Sequence, residues 1–237
     1  CCAFLAIGTE NKNYYLHRGV SNDQIFLTPY AVDNANFRIR AKAAHPQRNK
    51  LRSELGIAPG QKVILFAGKL MPRKCPDILV HAVNKIDWGG RHTPVLIFVG
   101  GGEMEERLRS IAPEAIFLGF KNQSELPPIY NMADVMVLPS EREPWGLAVN
   151  EAMACGTAVI VSDQVGCATD LLNDKCGKVF PCGDVQALAA SLTYCLQHSD
   201  KMGEAASTAI KEWGFAEDVV GLKQAINYLG LCNAGNP

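Results

Sequence analysis

Apolar and polar positions along this chain fall into two alternating patterns. Short runs rich in β-branched and large apolar residues occur at 3–7, 25–28, 63–67, 95–99, 115–118, 135–138, 158–161 and 177–180, and each reads as a strand. Helical periodicity lies between most of them, clearest at 76–86, 104–111, 126–132, 185–197 and 216–229. Alternation of this kind implies an α/β fold: a doubly wound parallel sheet joined by right-handed crossovers. From residue 62 to 229 the alternation is regular enough for one complete domain. Residues 1–30 hold too little to bury a core alone and read as the remnant of another domain. Residues 31–61 are polar and carry Asn, Arg, Lys and Pro, which predicts a connector with a short helix near 49–55, and 230–237 reads as a tail.

The candidate chemistry sits in one of these units. The run 135–138 ends at Pro139, helical composition follows over 145–154, Gly156 stands where a helix C-terminus wants a left-handed residue, and a strand resumes at Ala158. Glu143 and Glu151 bracket the start of that helix, eight positions apart with Gly146 between them. A helix opening at the carboxyl end of a parallel strand offers a phosphate its free amides and positive end, near Gly146 and Leu147. The two acids are either solvated residues favoured by the helix dipole or carboxylates that flank one ligand from different directions. A second loop, beginning at Gly68 after the strand 63–67, carries three cations in six positions, Lys69, Arg73 and Lys74. On the same sheet edge as a helix N-terminus, that loop reads as a diphosphate clamp, positive where a leaving group gains negative charge. The run Gly100-Gly101-Gly102 is either a tight turn or a place for backbone to approach a ligand. Beyond it, Phe120 and Lys121 could line a base pocket, with Phe120 equally suited to the core.

Composition narrows the class. Of 237 residues, 48% are hydrophobic and 20% charged, with a net charge of −1. That balance argues against a nucleic-acid binder, which needs a dense basic face. Apolar runs stop at about eight residues, well below the roughly 20 that a spanning helix needs. The apolar start, Cys1 to Gly8, lacks the basic flank of a signal peptide and predicts a segment that begins inside a larger protein. Nine cysteines, an odd number without a C-x-x-C pair, read as free thiols in a reducing, cytoplasmic compartment. His17, His45, His81, His92 and His198 have no paired spacing and read as surface or satisfied core residues. A dinucleotide dehydrogenase is disfavoured, since no G-x-G-x-x-G follows the early strands with an acid about 20 positions on.

Taken together, the hinge-like Pro29-Tyr30-Ala31-Val32-Asp33, the Gly68 to Lys74 loop, Leu118-Gly119-Phe120, the stretch from Tyr130 to Ser140, the E-x7-E element from Glu143 to Glu151, and Ala152 to Gly156 resemble the C-terminal, nucleotide-sugar-binding domain of GT-B retaining glycosyltransferases, most like glycosyltransferase family 4. The resemblance covers about residues 25 to 229. It implies a Rossmann-like domain that binds a UDP-, GDP- or ADP-sugar and takes part in transfer of the glycosyl group to a hydroxyl of a glycan or lipid-linked acceptor. Residues 1–28 would then be the end of the N-terminal domain, whose acceptor-side residues are absent. The resemblance places Glu143 on the donor sugar, Glu151 on the ribose, and Lys69 and Lys74 on the diphosphate, with Arg73 a helper. Members often have arginine at the position of Lys69 and glycine where Cys75 stands. No Asp-x-Asp occurs, so metal independence is expected, with no cofactor besides the donor. A binding module without turnover, a phosphorylase and a nucleotide-sugar epimerase remain alternatives. Peripheral contact with the inner face of a cytoplasmic membrane is compatible with this reading.

Overall fold

A computed structural model of the chain describes residues 3–90 and 92–234, with side chains through Gly230. Cys1, Cys2 and the thiol of Cys232 therefore lie outside the described residues. In chain order the elements are β1 (Phe4–Ala6), α1 (Thr9–His17), β2 (Ile25–Leu27), α2 (Asn34–Ala44), α3 (Arg48–Glu54), β3 (Val63–Ala67), α4 (Pro76–Lys85), β4 (Val95–Val99), α5 (Glu105–Ile111), β5 (Ile116–Gly119), α6 (Leu126–Met132), β6 (Val135–Leu138), α7 (Leu147–Ala154), β7 (Ala158–Ser162), α8 (Ala168–Leu171), β8 (Gly177–Phe180), α9 (Val185–Ala209) and α10 (Phe215–Ala234).

Six strands form one parallel sheet in the order β5-β4-β3-β6-β7-β8, while β1 and β2 pair in parallel as a separate two-stranded sheet. Every residue of β3, β6 and β7 is buried, which is why these strands read as continuous apolar runs rather than as alternating ones. The pleat sends successive side chains to opposite faces. Leu65, Met136 and Val159 join one core with α6 and α7, and Ile64, Phe66, Val135 and Ile160 join the other with α4 and α9. Fully burying one such side chain is worth about 1.5–3 kcal/mol, so two-sided burial of the central strands sets the platform on which the site loops stand.

Several elements differ from the sequence expectation. The 31–61 segment holds two helices, not one: Asp33 caps α2 by accepting from the Asn36 amide at 2.9 Å, and Phe37 and Ala41, one turn apart, enter the core beside α6 and α7. Its polar composition conceals this because only a narrow stripe of α2 is buried. Helix α9 runs 12 residues beyond the expected end at Gln197, since Ser199, Met202, Gly203 and Ala206 continue its buried face. Helix α10 extends into the expected tail, and α8 was not anticipated. Among the described residues no helix is long and apolar enough to cross a membrane.

Candidate functional site

The order of the large sheet reverses between β3 and β6, with β4 and β5 on one side and β7 and β8 on the other. Loops leaving the carboxyl ends of these two strands therefore diverge and open a crevice, the usual ligand entrance of an open α/β sheet. These are the cationic loop from Gly68 and the loop that carries Glu143 and Gly146.

The cationic loop is shaped by its neighbour. Gly100 has φ +119°, and a Cβ there would lie 2.0 Å from the Gly68 carbonyl oxygen. Only glycine lets the two loops touch, and the amides of Leu70 and Met104 then complete hydrogen bonds between them, to Gly101 O and Leu70 O, each at 3.0 Å. Packing of loop on loop is thus a structural reason for the Gly100-Gly101-Gly102 run. The loop next makes a single helical turn, Pro72–Lys74, that ends on Cys75 at φ 49°, ψ 44°. Cys75 is the one non-glycine residue at positive φ among those described.

From this turn Lys74 meets Glu143, Nζ to Oε2, with the two side chains only 14% and 13% exposed. The main chains are tied as well, since the Glu141 amide donates to Arg73 O at 3.0 Å. Burial, and after it the charge of Arg73, lowers the pKa of the Lys74 ammonium. The side chains of Lys69 and Arg73 are exposed on the same loop, with no hydrogen bond or ion pair among the described residues.

Glu143 is held through its backbone. Its amide donates to Gln164 O at 3.1 Å and its carbonyl accepts from Gly166 at 2.9 Å, which makes a lone parallel bridge with the loop after β7. Two residues on, the buried Trp145 donates its indole N–H to Asn150 Oδ1 at 3.0 Å, and Asn150 donates in turn to Tyr30 O at 3.2 Å. Gly146 follows in a left-handed conformation, φ 102° and ψ 60°, and caps α7 with no side chain of its own. A helix begun this way leaves its first amides, at Leu147 and Ala148, as orphan donors beside Glu143.

Glu151 lies deeper, 9% exposed on α7. Its Oε2 accepts from the Tyr130 hydroxyl at 2.8 Å. Burial raises the carboxyl pKa, and the hydrogen bond from Tyr130 opposes that rise. The two acids of the motif thus occupy different settings: Glu143 against a cation at the crevice, Glu151 against a phenol between α6 and α7.

Phe120 is 83% exposed, so its alternative as a core residue is excluded. Lys121 pairs with Glu125 at 3.4 Å. Their loop is joined to the Gly100 loop by Gly100 N–H to Gly119 O at 2.8 Å, but among the described residues no hydrogen bond or ion pair links either side chain with the Lys74–Glu143 pair. Sequence reading missed a second wall. A cavity of about 650 Å³ beside Glu143 is lined by Tyr14, Tyr15 and Tyr30 from the first thirty residues and by Arg142 and Gln164. A larger hollow of about 990 Å³, with Arg48, Asp134 and Gly156 on its rim, lies at the amino edge of the sheet and contains neither acid.

The described thiols are free: Cys75, Cys155, Cys167, Cys176 and Cys195 are buried and Cys182 half-buried. Burial raises the pKa of each, that of Cys195 to about 12. All five histidines are exposed. Among the described residues no group of three or more His, Cys, Asp or Glu side chains is arranged to hold a metal ion.

The left-handed Cys75 carries a testable cost. An L-residue with a Cβ loses roughly 1–2 kcal/mol in this conformation, offset in part by burial of the thiol and its hydrogen bond to Pro72 O at 3.3 Å. Cys75→Gly is expected to raise stability by up to about 1 kcal/mol in a denaturant titration. A loss of stability would show that thiol packing outweighs the strain.

A family model described as Glycosyl transferases group 1 matches residues 47–213. The uncharacterized glycosyltransferase MJ1607 of Methanocaldococcus jannaschii is 30% identical over 181 residues, 73% of this chain and 42% of that protein. The D-inositol 3-phosphate glycosyltransferase of Jonesia denitrificans is 32% identical over 208 residues, 82% of this chain and 49% of that one. This chain therefore spans about half, or less, of the curated relatives it matches. Among solved structures, a glycosyltransferase from Rickettsia africae superposes with a TM-score of 0.81 at 17% identity, covering 96% of this chain and 63% of that one. Anabaena Alr3699/HepE in complex with UDP gives 0.78 at 19% identity, covering 96% and 64%. At these identities the structural likeness establishes the fold, an α/β arrangement with a parallel sheet of the GT-B kind.

Proposed function

The chain belongs to the glycosyl transferases group 1 family, and from that premise we propose that it is the donor-binding part of a retaining, metal-independent glycosyltransferase of the family 4 kind. Its ligand is a nucleoside diphosphate sugar, and the reaction passes the glycosyl group to a hydroxyl of a glycan or lipid-linked acceptor. The observation that carries this reading is the meeting of Lys74, Glu143 and the start of α7 at the point where strand order reverses. A cation, a carboxylate and orphan amides within one crevice suit a ligand with a diphosphate at one end and sugar hydroxyls at the other.

In the reaction, the bond between the anomeric carbon and the diphosphate oxygen breaks as the acceptor oxygen bonds to the same face of that carbon, and the acceptor proton leaves with the departing diphosphate or to solvent. Lys74, Lys69 and the amides near Gly146 and Leu147 stabilise the diphosphate as its charge grows, with Arg73 as helper. Glu143 orients the sugar while the anomeric carbon becomes positive. It is not assigned as a nucleophile, because glycosidase-type chemistry needs both acids at the bond and Glu151 lies with the ribose. Gly68 opens the loop after β3, and its carbonyl is the group against which Gly100 packs; Phe120 and Lys121, on the loop after β5, are assigned to the base. The lack of Asp-x-Asp supports metal independence. A cytoplasmic site of action fits a soluble donor and the set of free thiols.

Calorimetry with UDP, GDP, ADP and their sugar conjugates tests the reading, UDP first because the Anabaena neighbour was solved with it. Binding of at least one nucleotide is expected, and the donor-site reading fails if none binds at millimolar concentration. Glu151→Ala is expected to weaken nucleoside diphosphate binding about tenfold or more, whereas Glu143→Ala mainly erodes the preference for the sugar conjugate over the bare nucleotide. Equal losses for both ligands in both variants would remove that division of roles.

A further inference from the structure

Tyr130 is wholly buried on α6, 21 residues before Glu151, and its place is pinned independently of its hydroxyl. The Tyr130 carbonyl accepts from Thr157 Oγ1 at 2.8 Å and from the Ala133 amide at 3.0 Å, and the ring packs beside Phe37 with centroids 6.5 Å apart. The hydroxyl then donates to Glu151 Oε2. The other oxygen, Oε1, receives no protein hydrogen bond among the described residues, yet it is not sealed in. Among the described residues, the fully enclosed side-chain oxygens or nitrogens without a partner are Asn34 Oδ1 and Ser140 Oγ, and Oε1 is not one of them. One oxygen of Glu151 is therefore anchored to the protein while the other carries no protein partner.

A hydrogen bond that served only to satisfy a buried phenol would be made more cheaply with a neutral acceptor, because burying a carboxylate carries a desolvation cost. Burial pushes the Tyr130 hydroxyl well above its ordinary pKa, so it stays protonated and donates, and that donation holds the Glu151 pKa down against its own burial. The hydrogen bond favours and orients the charged form of an acceptor that burial disfavours, an arrangement that orders a carboxylate before its ligand arrives.

We propose that Tyr130 is a positioning residue: its hydroxyl fixes Oε2 of Glu151 so that Oε1 presents a preset acceptor to the ribose hydroxyls of the nucleotide. This rests on the donor-site reading above, and it assigns Tyr130 no contact with the ligand.

The test compares each ribonucleoside diphosphate with its 2′-deoxy counterpart, UDP, ADP and GDP in turn, by calorimetry on the wild-type chain, Tyr130→Phe, Glu151→Gln and the double variant. Wild type is expected to prefer the ribose form about 10-fold or more, the scale of a hydrogen bond to a charged group. In Tyr130→Phe that preference shrinks to about threefold or less, with binding of the deoxy form nearly unchanged. In the Glu151→Gln background the further change to Phe has no effect on the preference, since the two residues act as one. That last comparison also serves if Tyr130→Phe alone fails to fold, because it leaves no buried charge unpaired. Failure of the wild type to bind any nucleotide overturns the donor-site reading itself. Nucleotide binding with no ribose preference in the wild type, an undiminished preference in Tyr130→Phe, or an equal loss for ribose and deoxyribose forms each overturns the positioning role and leaves the donor site standing.

Discussion

Asp134→Ala is expected to cost about 3–5 kcal/mol of stability, the scale for breaking a buried charge network by removing one partner. Asp134 stands at the head of β6, 5% exposed, and a single carboxylate answers three cations. Its Oδ1 accepts from Arg48 at 3.1 Å and lies 3.5 Å from Lys62, and its Oδ2 accepts from Arg52 at 2.9 Å and from the Val63 amide at 2.7 Å. Removing it strands the largely buried Arg52, whose pKa burial already lowers, and leaves one amide at the start of β3 without its partner. A denaturant titration measures the loss, and the melting temperature should fall by on the order of 10 °C. Lys50→Ala, which removes an exposed pair with Glu54 at 3.8 Å, is the contrast and should be neutral within error. A loss below about 1 kcal/mol at Asp134 would show that water replaces the carboxylate and that the network is not a brace.

The second large effect has opposite signs at two residues in contact. Lys74→Ala is expected to weaken nucleoside diphosphate binding by about 10- to 100-fold, since it removes a charge-assisted contact and leaves Glu143 without its cation. Glu143→Gln is expected to strengthen binding of the bare diphosphate severalfold, because the ligand no longer displaces a carboxylate from Lys74. The same variant should lose its preference for the sugar conjugate. Calorimetry on the two single variants and the double variant reads the coupling between them. If Glu143→Gln weakens the bare nucleotide as much as Lys74→Ala does, the pair is a fixed part of the site rather than a contact that the diphosphate replaces.

These expectations draw on sequence and structure in unequal shares. The strands 63–67, 95–99 and 135–138 were legible to the residue, because a parallel strand buried on both faces writes an unbroken apolar run. The start of α7 was legible to within two residues, since the helical composition over 145–154 holds Gly146 near its start and no other residue adopts φ 102° at so little cost. Helix α2 was not legible, since its polar surface outweighs the few residues, Phe37 and Ala41 among them, that α6 and α7 bury. At the site, the sequence located Lys74 and Glu143 on their loops and left open whether they meet. The exposure of Phe120, the clasp of Tyr130 on Glu151 and the wall supplied by Tyr14 and Tyr30 had no local signal.

By itself the sequence determined the parallel α/β alternation of the main sheet, the edge on which the loops emerge, and the spacing that sets two acids on either side of a helix start. Only the tertiary structure decided partners: Lys74 with Glu143 across 69 positions, Tyr130 with Glu151 across 21, and Asp134 with two arginines of α3, with Lys62 and with the amide that opens β3. The physical reason is one of range. Backbone state and burial pattern are written locally, by side-chain shape and by the period of apolar residues, whereas the energy of a charge or a buried hydroxyl depends on which distant group the fold brings within about 3 Å of it and on how much water is left between them.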